Sequence, residues 1–393
     1  MYFIEILNSF NKGFFMKWLQ KRFHELAGKE FSCSFWWKLT SFTVLGIICS
    51  AALLVYIVDP NYRYRLPKFY KTVYYDIYAT APRLISDMEY DLFMLGSSMC
   101  RNFFLEDIDR VFHCRSMKFA APGGTVMDLR KFADMAAEAK GDKLKRIIFS
   151  LDIYALNKTR AHWKEFSYMY RKDHREEYRY LFNKETYSNM LYLLKRAHRP
   201  KGKRKYQADR NRMFSTEHDK SRYDMEHVIA NTRFCYRVHH SQTPLSPAGY
   251  RNLEKELLAM VDSHPEIPFT IFLPPYHIYS YCLSNEFGEA AGLLRLREKV
   301  LLELIKRKNV SLHDFQSIPE IVCNGKYYTD IQHFSSRLGK KILEDLAEGK
   351  YRLRTPEDVK KSNTSLRELT EKNMSRFRKD ILPAADTDKK GGK

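Results

Sequence analysis

Zinc-ligand spacing is missing from this sequence. The seven cysteines form no Cys-x-x-Cys pair, and no His-x-x-x-His pattern lies near them, so no metal site is predicted. Cys33 and Cys49 lie within or just before an apolar segment. The other five are an odd number, so at least one stays free even in an oxidising compartment. Cysteine usage therefore does not identify the redox compartment.

Acidic residues are also in short supply. Asp and Glu number 47 against 67 Lys and Arg, which gives a formal net charge of +20. Such a charge favours acidic partners, namely anionic lipid, an anionic polymer or nucleic acid. The basic excess is spread over many segments, and no helix-turn-helix, zinc-finger or RNA-binding signature accompanies the run HRPKGKRK at 198–205. A membrane-tethered nucleic-acid binder is therefore the least favoured interpretation, and no nucleic-acid partner is predicted.

Charged residues are absent from residues 39–58, LTSFTVLGIICSAALLVYIV. The length of this run matches the roughly 30 Å hydrocarbon core of a bilayer, and aromatic residues flank it as they do at membrane interfaces. A buried core helix is the alternative. A cleaved signal peptide is disfavoured, because the run is long, begins late and has no small-x-small site after it. We predict a transmembrane helix over 39–58.

The basic residues near the two ends of this segment almost balance, since four precede it closely and four follow it. Lys12 and Lys17 tip the positive-inside count toward a cytoplasmic N-terminus. We therefore predict that residues 1–38 form a cytoplasmic tail. The protein is then a single-pass protein of the inner or cytoplasmic membrane, with its catalytic domain outside the cytoplasm.

Short apolar runs alternate with helical patterns in the rest of the chain. With 44% hydrophobic and 14% aromatic residues, the chain can bury a substantial core. Strand candidates lie at 92–95, 116–120, 146–151, 268–273 and 310–315, and helical periodicity follows most of them. This alternation predicts an α/β fold with a doubly wound, mostly parallel sheet in a flavodoxin-like arrangement of three layers.

Three regions fall outside this alternation. Residues 59–88 are aromatic, basic and irregular, and we predict a linker there. Residues 158–244 form a basic, aromatic-rich and partly helical insertion between the two halves of the domain, 89–157 and 245–348. Residues 349–393 are polar, and we predict a frayed helix and a partly disordered tail.

Small and polar residues end several of the predicted strands. Gly96-Ser97-Ser98 follows the first strand, Gly123-Gly124 the second and Asp152 the third, while Pro274-Pro275-Tyr276-His277 follows the fourth. Asp330-x-x-His333 lies beyond the fifth. Ligands bind beyond the carboxyl ends of strands in open α/β sheets. These groups are therefore expected to gather at one edge of the sheet.

The motifs LGSSM at 95–99 and YYTDIQHFS at 327–335 resemble those of the SGNH/GDSL hydrolase superfamily. The likeness spans about residues 89–348, without 158–244. It is nearest to a membrane-anchored subgroup that includes the D-alanyl-lipoteichoic acid biosynthesis protein and the alginate acetylation proteins. An SGNH hydrolase-like fold is what this resemblance implies.

In that superfamily the nucleophile is the third residue of a Gly-Asp-Ser motif, and the base and its orienting acid share one Asp-x-x-His motif. The resemblance therefore implies Ser98 as nucleophile, His333 as base and Asp330 as orienting acid. Ser97 stands where the family has Asp and is the alternative nucleophile. A serine hydroxyl needs such a base, and the base needs a carboxylate that holds its tautomer. No cofactor is implied.

Acyl transfer also requires an oxyanion hole. The backbone N–H groups of Ser98 and Gly124 are our candidates, with Gly123 as the rival of Gly124. The Gly-x-Asn-Asp block of the superfamily, whose Asn provides a third donor, has no counterpart in this chain. Asp152, in LDIY, occupies the corresponding strand end, and a carboxyl group donates only when it is protonated.

Four residues are candidates for substrate binding: Asp152, Tyr276, His277 and Asn102. Tyr276 and His277 belong to FLPPYHIY, and a Pro-Pro-Tyr at a strand end lines the pocket in the resembling proteins. A surface loop is the alternative place for His277. Asn102 follows the serine beside Arg101, where it either binds an anionic group or caps the next helix.

The resemblance implies an esterase or O-acetyltransferase that acts on a cell-envelope polysaccharide or acylated glycan through an acyl-Ser98 intermediate. Proteins of the anchored subgroup are often paired with a membrane-bound O-acyltransferase, which is then the expected partner. The alternative is a non-catalytic scaffold of the same fold that grips anionic glycan with its basic surface. The missing Asn block favours the scaffold, and the intact Ser, His and Asp oppose it.

Overall fold

The computed structural model describes residues 32–66, 77–197, 222–238 and 247–388. The chain divides into two compact units, Met1–Ile57 and Val58–Lys393. The first unit contains all but the last residue of helix α1, Cys33–Val58. Among the described residues, α1 is the one helix long and apolar enough to cross a membrane, with a mean hydropathy of 2.4 over its most apolar window. It starts before the predicted segment 39–58 and ends at the same residue.

The second unit is built on a six-stranded sheet with the order β2-β1-β3-β4-β5-β6. The first five strands are parallel, and β6 runs antiparallel to β5. The strands are β1 Leu92–Ser97, β2 Ser116–Ala121, β3 Arg146–Ser150, β4 Phe269–Leu273, β5 Val310–Asp314 and β6 Arg352–Leu353.

Burial explains why these segments form a parallel sheet. Every residue of β1, β2 and β4 is buried, as expected for strands covered on both faces. The prediction of an α/β fold with a mostly parallel sheet is confirmed. Strand β6 was not predicted, because two residues are too few to show a period.

The order of the first five strands reverses at β1. Crossover connections between parallel strands are right-handed in nearly all proteins. The helix that connects β1 to β2 therefore lies on one face of the sheet, and the helices that connect β2 to β3 and the later parallel strands lie on the other. In sheets of this kind, ligands bind beyond the carboxyl ends of the strands at the point of reversal, which here lies between β1 and β3.

The helices surround this sheet in chain order. They are α2 Ile77–Asp87, α3 Leu105–Phe112, α4 Val126–Lys140, α5 Glu177–Leu181, α6 Lys184–Ala197, α7 Met225–Arg237, α8 (Ala248–Asn252, continued by Leu253–Leu258 and Ala259–Asp262), α9 Ile278–Glu286, α10 Ala290–Leu304, α11 Pro319–Val322, α12 Ser336–Ala347 and α13 Pro356–Asp388.

The segment predicted as the linker 59–88 is partly helical, which corrects that prediction. Helix α2 occupies Ile77–Asp87 and packs against α4. Its buried residues include Leu84 and Ile85, about two helical turns after Ile77 and Tyr78. Two such pairs, seven residues apart, give an apolar face that the surrounding aromatic and basic residues obscure in the sequence.

The described parts of the insertion 158–244 are partly helical. They include a 3₁₀ segment at His162–Tyr170 and the helices α5, α6 and α7. Helix α7 packs against α13 and α9. The basic run at 198–205, predicted as an exposed loop, lies outside the described residues.

Within 349–393, where a frayed helix and a partly disordered tail were predicted, residues 356–388 form one long helix, α13. Its packing against the rest of the unit corrects the expectation of fraying. This helix packs against α7, α9 and α10. Val359, Leu366, Phe377 and Ile381 are buried along it. Its apolar residues are few, but they recur at helical spacing, and one narrow stripe is enough to dock a helix.

A buried ion pair joins α13 to the sheet. The Arg297 guanidinium lies 2.8 Å from Asp314 Oδ1, with both side chains almost fully buried, and it donates to Ser362 of α13 at 2.9 Å. Although burial opposes ionisation, Arg297 holds the pKa of Asp314 below its usual value. This cluster fixes the C-terminal helix at the end of β5.

We expect Arg297→Met to lower the free energy of unfolding by about 3–5 kcal/mol, because it leaves the Asp314 carboxylate buried without its cation. Urea unfolding of the detergent-solubilised chain measures the change. Arg295→Met, on the exposed side of the same helix, is the matched control and should have little effect. Equal stability of the two variants would contradict this role of the pair.

Candidate functional site

The carboxyl ends of the parallel strands lie level with one another. In the register of the sheet, Ser97 pairs with Ala121, and Gly96 pairs with Ser150. The segments that follow β1, β2 and β3 therefore emerge side by side at one edge. This edge brings together most of the polar residues that the sequence placed at strand ends.

Ser98, His333 and Asp330 form a continuous hydrogen-bonded chain. Ser98 Oγ lies 2.8 Å from His333 Nε2, and His333 Nδ1 lies 2.8 Å from Asp330 Oδ2. Both His333 and Asp330 are about a third to a quarter exposed. The three groups have the order and the distances of a serine nucleophile, its base and the acid that orients the base.

The turn after β1 presents Ser98 and withdraws Ser97. Ser98 begins a 3₁₀ turn, Ser98–Cys100, while the Ser97 hydroxyl accepts a hydrogen bond from the Met99 N–H at its start. Ser97 is fully buried. Of the two serines, Ser98 is therefore the one that reaches the histidine.

Gly96 allows this turn to fold tightly against its neighbours. A Cβ atom at Gly96 would lie 2.5 Å from Cys100 Sγ and 2.7 Å from Ser150 Cβ, well inside van der Waals contact. A larger residue there would push the turn that carries Ser98 away from β3. The glycine of LGSSM thus serves the packing beneath the nucleophile.

Hydrogen bonds within the segment 329–333, the Asp330 loop, hold Asp330 and His333 in place. Asp330 Oδ1 accepts the backbone N–H groups of Gln332 and His333, each at 2.7 Å. The Thr329 N–H donates to the His333 carbonyl at 3.1 Å. These bonds within the loop fix the carboxylate and the imidazole relative to each other.

Asn102 joins this loop to the nucleophile turn. Its side-chain amide donates to the carbonyl oxygen of Phe334, the residue after His333. The sequence suggested substrate binding or helix capping for Asn102. The described contact is instead a link between the two halves of the triad, and no side-chain cap is present at the start of α3.

His333 and Asp330 shift each other's pKa through their hydrogen bond and their opposite charges. Burial pushes the pKa of Asp330 up, but the hydrogen bonds and charge of His333 prevail and hold it below the usual value. Burial likewise lowers the pKa of His333, and the Asp330 carboxylate more than reverses this, so the pKa of His333 is raised. A histidine in this state is a stronger base than a free imidazole.

Asp152 lies beside the triad and is almost fully buried. The Tyr276 hydroxyl donates a hydrogen bond to its carboxylate. Burial raises the pKa of Asp152 to about 6, against the lowering effects of Ser97, Tyr276 and His333. The two substrate-binding candidates Asp152 and Tyr276 thus contact each other.

The proposed oxyanion hole requires one correction. The Gly124 N–H donates to the Ala121 carbonyl at 2.9 Å, so it is engaged in the turn after β2 and does not point at the serine. Gly123 adopts a positive φ of 64° at this turn and is exposed. The backbone N–H groups of Ser98 and Gly123 are the remaining candidates for oxyanion donors.

His277 is buried rather than exposed at the site, with 1% of its surface accessible. Its ring Nδ1 accepts the backbone N–H of Tyr279 at 3.2 Å, and the backbone N–H of His277 donates to the Ile331 carbonyl at 3.0 Å. Burial lowers the pKa of His277 to about 3, and the charge of Arg376 adds to this. In this structure His277 supports the Asp330 loop from below and does not face the solvent, contrary to both predicted roles.

Two supporting residues escaped the sequence analysis. The buried ammonium group of Lys118, in β2, donates to the carbonyls of Arg101 and Phe103 behind the nucleophile turn. Asn231, in α7 of the insertion, accepts the Ile331 N–H at 3.4 Å. A lysine in the middle of the apolar strand SMKFAA was the one available signal for the first; nothing in the sequence indicated the second.

Within the described ranges, no group of three or more His, Cys, Asp or Glu side chains is arranged to hold a metal ion. Comparison of the chain with protein-family models, with curated proteins and with solved structures gives no match. The functional reading of the site therefore depends on its geometry and on the two short motifs.

Proposed function

We propose that this protein is a membrane-anchored serine acyl esterase or O-acyltransferase, of the SGNH type, that acts on a cell-envelope polysaccharide. The observation that carries the proposal is the chain of two 2.8 Å contacts from Ser98 through His333 to Asp330. A hydroxyl with both a base and an orienting carboxylate in line is the arrangement that acyl transfer to serine requires.

The reaction proceeds in two halves. His333 takes the hydroxyl proton while Ser98 Oγ bonds to the carbonyl carbon of the acyl donor, and the carbonyl oxygen carries the negative charge. Collapse of this intermediate breaks the bond to the donor's alcohol oxygen, which takes the proton from His333. Water or a sugar hydroxyl then loses its proton to His333 and attacks the acyl carbon of acyl-Ser98. The bond from this carbon to Ser98 Oγ breaks and His333 returns the proton to Oγ, which leaves free Ser98 and an acid or an acylated glycan.

The apolar helix α1 supports an anchored protein, and the basic net charge suits an anionic envelope polymer. A single-pass place in the inner or cytoplasmic membrane, with the catalytic unit outside the cytoplasm, is part of the proposal. A membrane-bound O-acyltransferase that delivers acyl groups across the bilayer is the proposed partner.

A non-catalytic polymer-binding scaffold is the second candidate. Two observations favour it: Asp152 occupies the strand end that provides an Asn donor in the resembling superfamily, and the Gly124 N–H is engaged elsewhere. Fewer donors for the oxyanion mean a slower reaction. The scaffold retains the fold and the charge, but it has no use for an activated serine.

A fluorophosphonate probe separates the two candidates, because it reacts only with an activated serine. The full chain in detergent should be labelled on the peptide that carries Ser98, and Ser98→Ala should abolish the labelling. Absence of labelling in a folded wild-type protein would favour the scaffold.

The pH dependence of turnover should report the raised pKa of His333. The base works only as neutral imidazole, so kcat/KM is fully present above the pKa of His333 and is lost as the pH falls through it. Because Asp330 raises that pKa, the midpoint should lie above about 6.5, the value of a free histidine. p-Nitrophenyl acetate hydrolysis measures the profile.

The pKa of Asp152, about 6, lies close to that of an ordinary histidine. Asp152→Asn is therefore the control for this profile. A midpoint that survives in Asp152→Asn belongs to His333. A midpoint that disappears in this variant assigns the profile to Asp152 and contradicts the prediction.

A further inference from the structure

Exposed apolar side chains are concentrated on the helices α5 and α6 and on Phe182, the residue that caps α5. Among the described residues after Val58, eight large apolar side chains are exposed, and five of the eight belong to this short region. We call these five the apolar cluster: Tyr178, Phe182, Leu191, Tyr192 and Leu194, with exposures of 41–62%. Single exposed apolar residues are ordinary, whereas a local concentration marks a surface that contacts something.

Helix α6 carries apolar residues on two faces. Met190 and Leu193 are buried against the rest of the unit. Leu191 and Leu194 lie beside them at helical spacing but remain about half exposed. Packing within the described part of the unit therefore buries one apolar face of α6, while Leu191 and Leu194 stay about half exposed.

Hydrogen bonds join these helices to the segment that directly follows α1. The Tyr180 hydroxyl, in α5, donates to the buried carboxylate of Asp59 at 2.8 Å. The Asn189 amide, in α6, donates to Asn61 Oδ1 at 3.0 Å. Both helices of the apolar cluster thus have a partner within three residues of Val58, the last residue of α1.

An ion pair reinforces this connection. The guanidinium of Arg63 lies 2.7 Å from Glu177 of α5, and both side chains are at most 15% exposed. The Tyr64 hydroxyl donates to the other oxygen of Glu177 at 2.6 Å. A partly buried pair with several hydrogen bonds resists separation far better than a surface pair.

The short covalent connection limits the distance between the end of α1 and the residues that bind α5 and α6. Asn61 is three residues after Val58, and three extended residues span at most about 11 Å. If α1 crosses a bilayer, residues 59–64 lie at its surface, and α5 and α6 are bound to them. Aromatic and leucine side chains on helices parallel to the interface are typical of membrane-surface contacts.

We propose that the apolar cluster on α5 and α6 inserts into the lipid–water interface of the membrane that α1 crosses. The occupant of this surface is lipid, because the cluster is tied to the chain where that chain leaves the membrane. The insertion thereby gives the anchored unit a second membrane contact and restricts its rotation about α1. This inference does not depend on the chemistry of Ser98.

Photo-crosslinking in membranes tests the proposal on the full chain. p-Benzoylphenylalanine replaces Phe182 or Leu191 in two variants, and mass spectrometry identifies what each captures. Tyr250, 40% exposed on α8, is the matched control position outside the cluster, and Leu45, 55% exposed on α1, is the position expected to meet lipid. We expect phospholipid adducts at positions 182, 191 and 45, and several-fold less at 250.

Each other outcome overturns the proposal. A lipid adduct at position 45 without one at 182 or 191 means that the cluster does not touch the membrane. Equal lipid capture at position 250 means that contact is not specific to the cluster. Capture of a second copy or of another protein at 182 and 191 assigns the surface to that partner. No lipid adduct even at position 45 means that α1 does not cross the membrane, and the proposal fails with it.

Discussion

Ser98→Ala should reduce p-nitrophenyl acetate turnover by about 10³-fold or more, because it removes the atom that forms the acyl intermediate. The Ser98 hydroxyl is the one that contacts His333 Nε2, at 2.8 Å. The substitution deletes a single oxygen at a partly exposed position, so the fold should persist. Steady-state turnover and thermal unfolding of the full chain in detergent measure the two effects.

Ser97→Ala is the matched control, since it deletes the same atom one residue earlier. Ser97 caps the nucleophile turn by accepting the Met99 N–H at 3.2 Å, and loss of such a cap costs about 1 kcal/mol of stability. Its turnover should therefore stay within about tenfold of wild type. If Ser97→Ala abolished turnover and Ser98→Ala did not, the assignment of the nucleophile would be wrong.

Asp330→Asn should lower kcat by about 10³- to 10⁴-fold, the size of the effect when the carboxylate of a Ser-His-Asp triad is replaced by an amide. The amide no longer stabilises the imidazolium, and it permits the histidine tautomer that places its proton on Nε2, toward the serine. The Asp330 carboxylate also raises the pKa of His333, so the basicity of His333 should fall as well.

The same turnover assay measures this change, and Asp142→Asn provides the control because Asp142 is exposed and distant in sequence from the triad. Turnover by Asp330→Asn that equals the Asp142→Asn value would show that His333 needs no orienting carboxylate. That result would contradict the triad even if Ser98 were essential.

The sheet could be predicted from the sequence, whereas many contacts beyond the carboxyl ends of its strands could not. Buried parallel strands such as LFML at 92–95 are continuous apolar runs, which local sequence reveals directly. The packing of helix α13 was not predicted because its buried residues, Val359, Leu366, Phe377 and Ile381, are far apart among polar ones. Whether such a stripe docks depends on partners elsewhere in the chain, here α7, α9 and α10.

The three residues of the proposed triad came from two motifs, and the structure brings their side chains together. The surroundings depended on tertiary detail. The Gly124 N–H is engaged because Gly123 takes a positive φ and turns the chain back toward Ala121. His277 is buried because its ring packs edge-on against Tyr279, two residues later, and against Tyr328 of a distant segment. No spacing in the sequence reveals either arrangement.

Trapping the acyl-enzyme tests the central claim most directly. The full chain is mixed with p-nitrophenyl acetate, quenched with acid, digested and analysed by mass spectrometry. We predict a peptide that contains Ser98 and is heavier by one acetyl group, with the modification located on Ser98 and absent from Ser98→Ala. An unmodified Ser98 in protein that turns over the ester, or an acetyl group on Ser97 instead, would contradict the acyl-Ser98 mechanism.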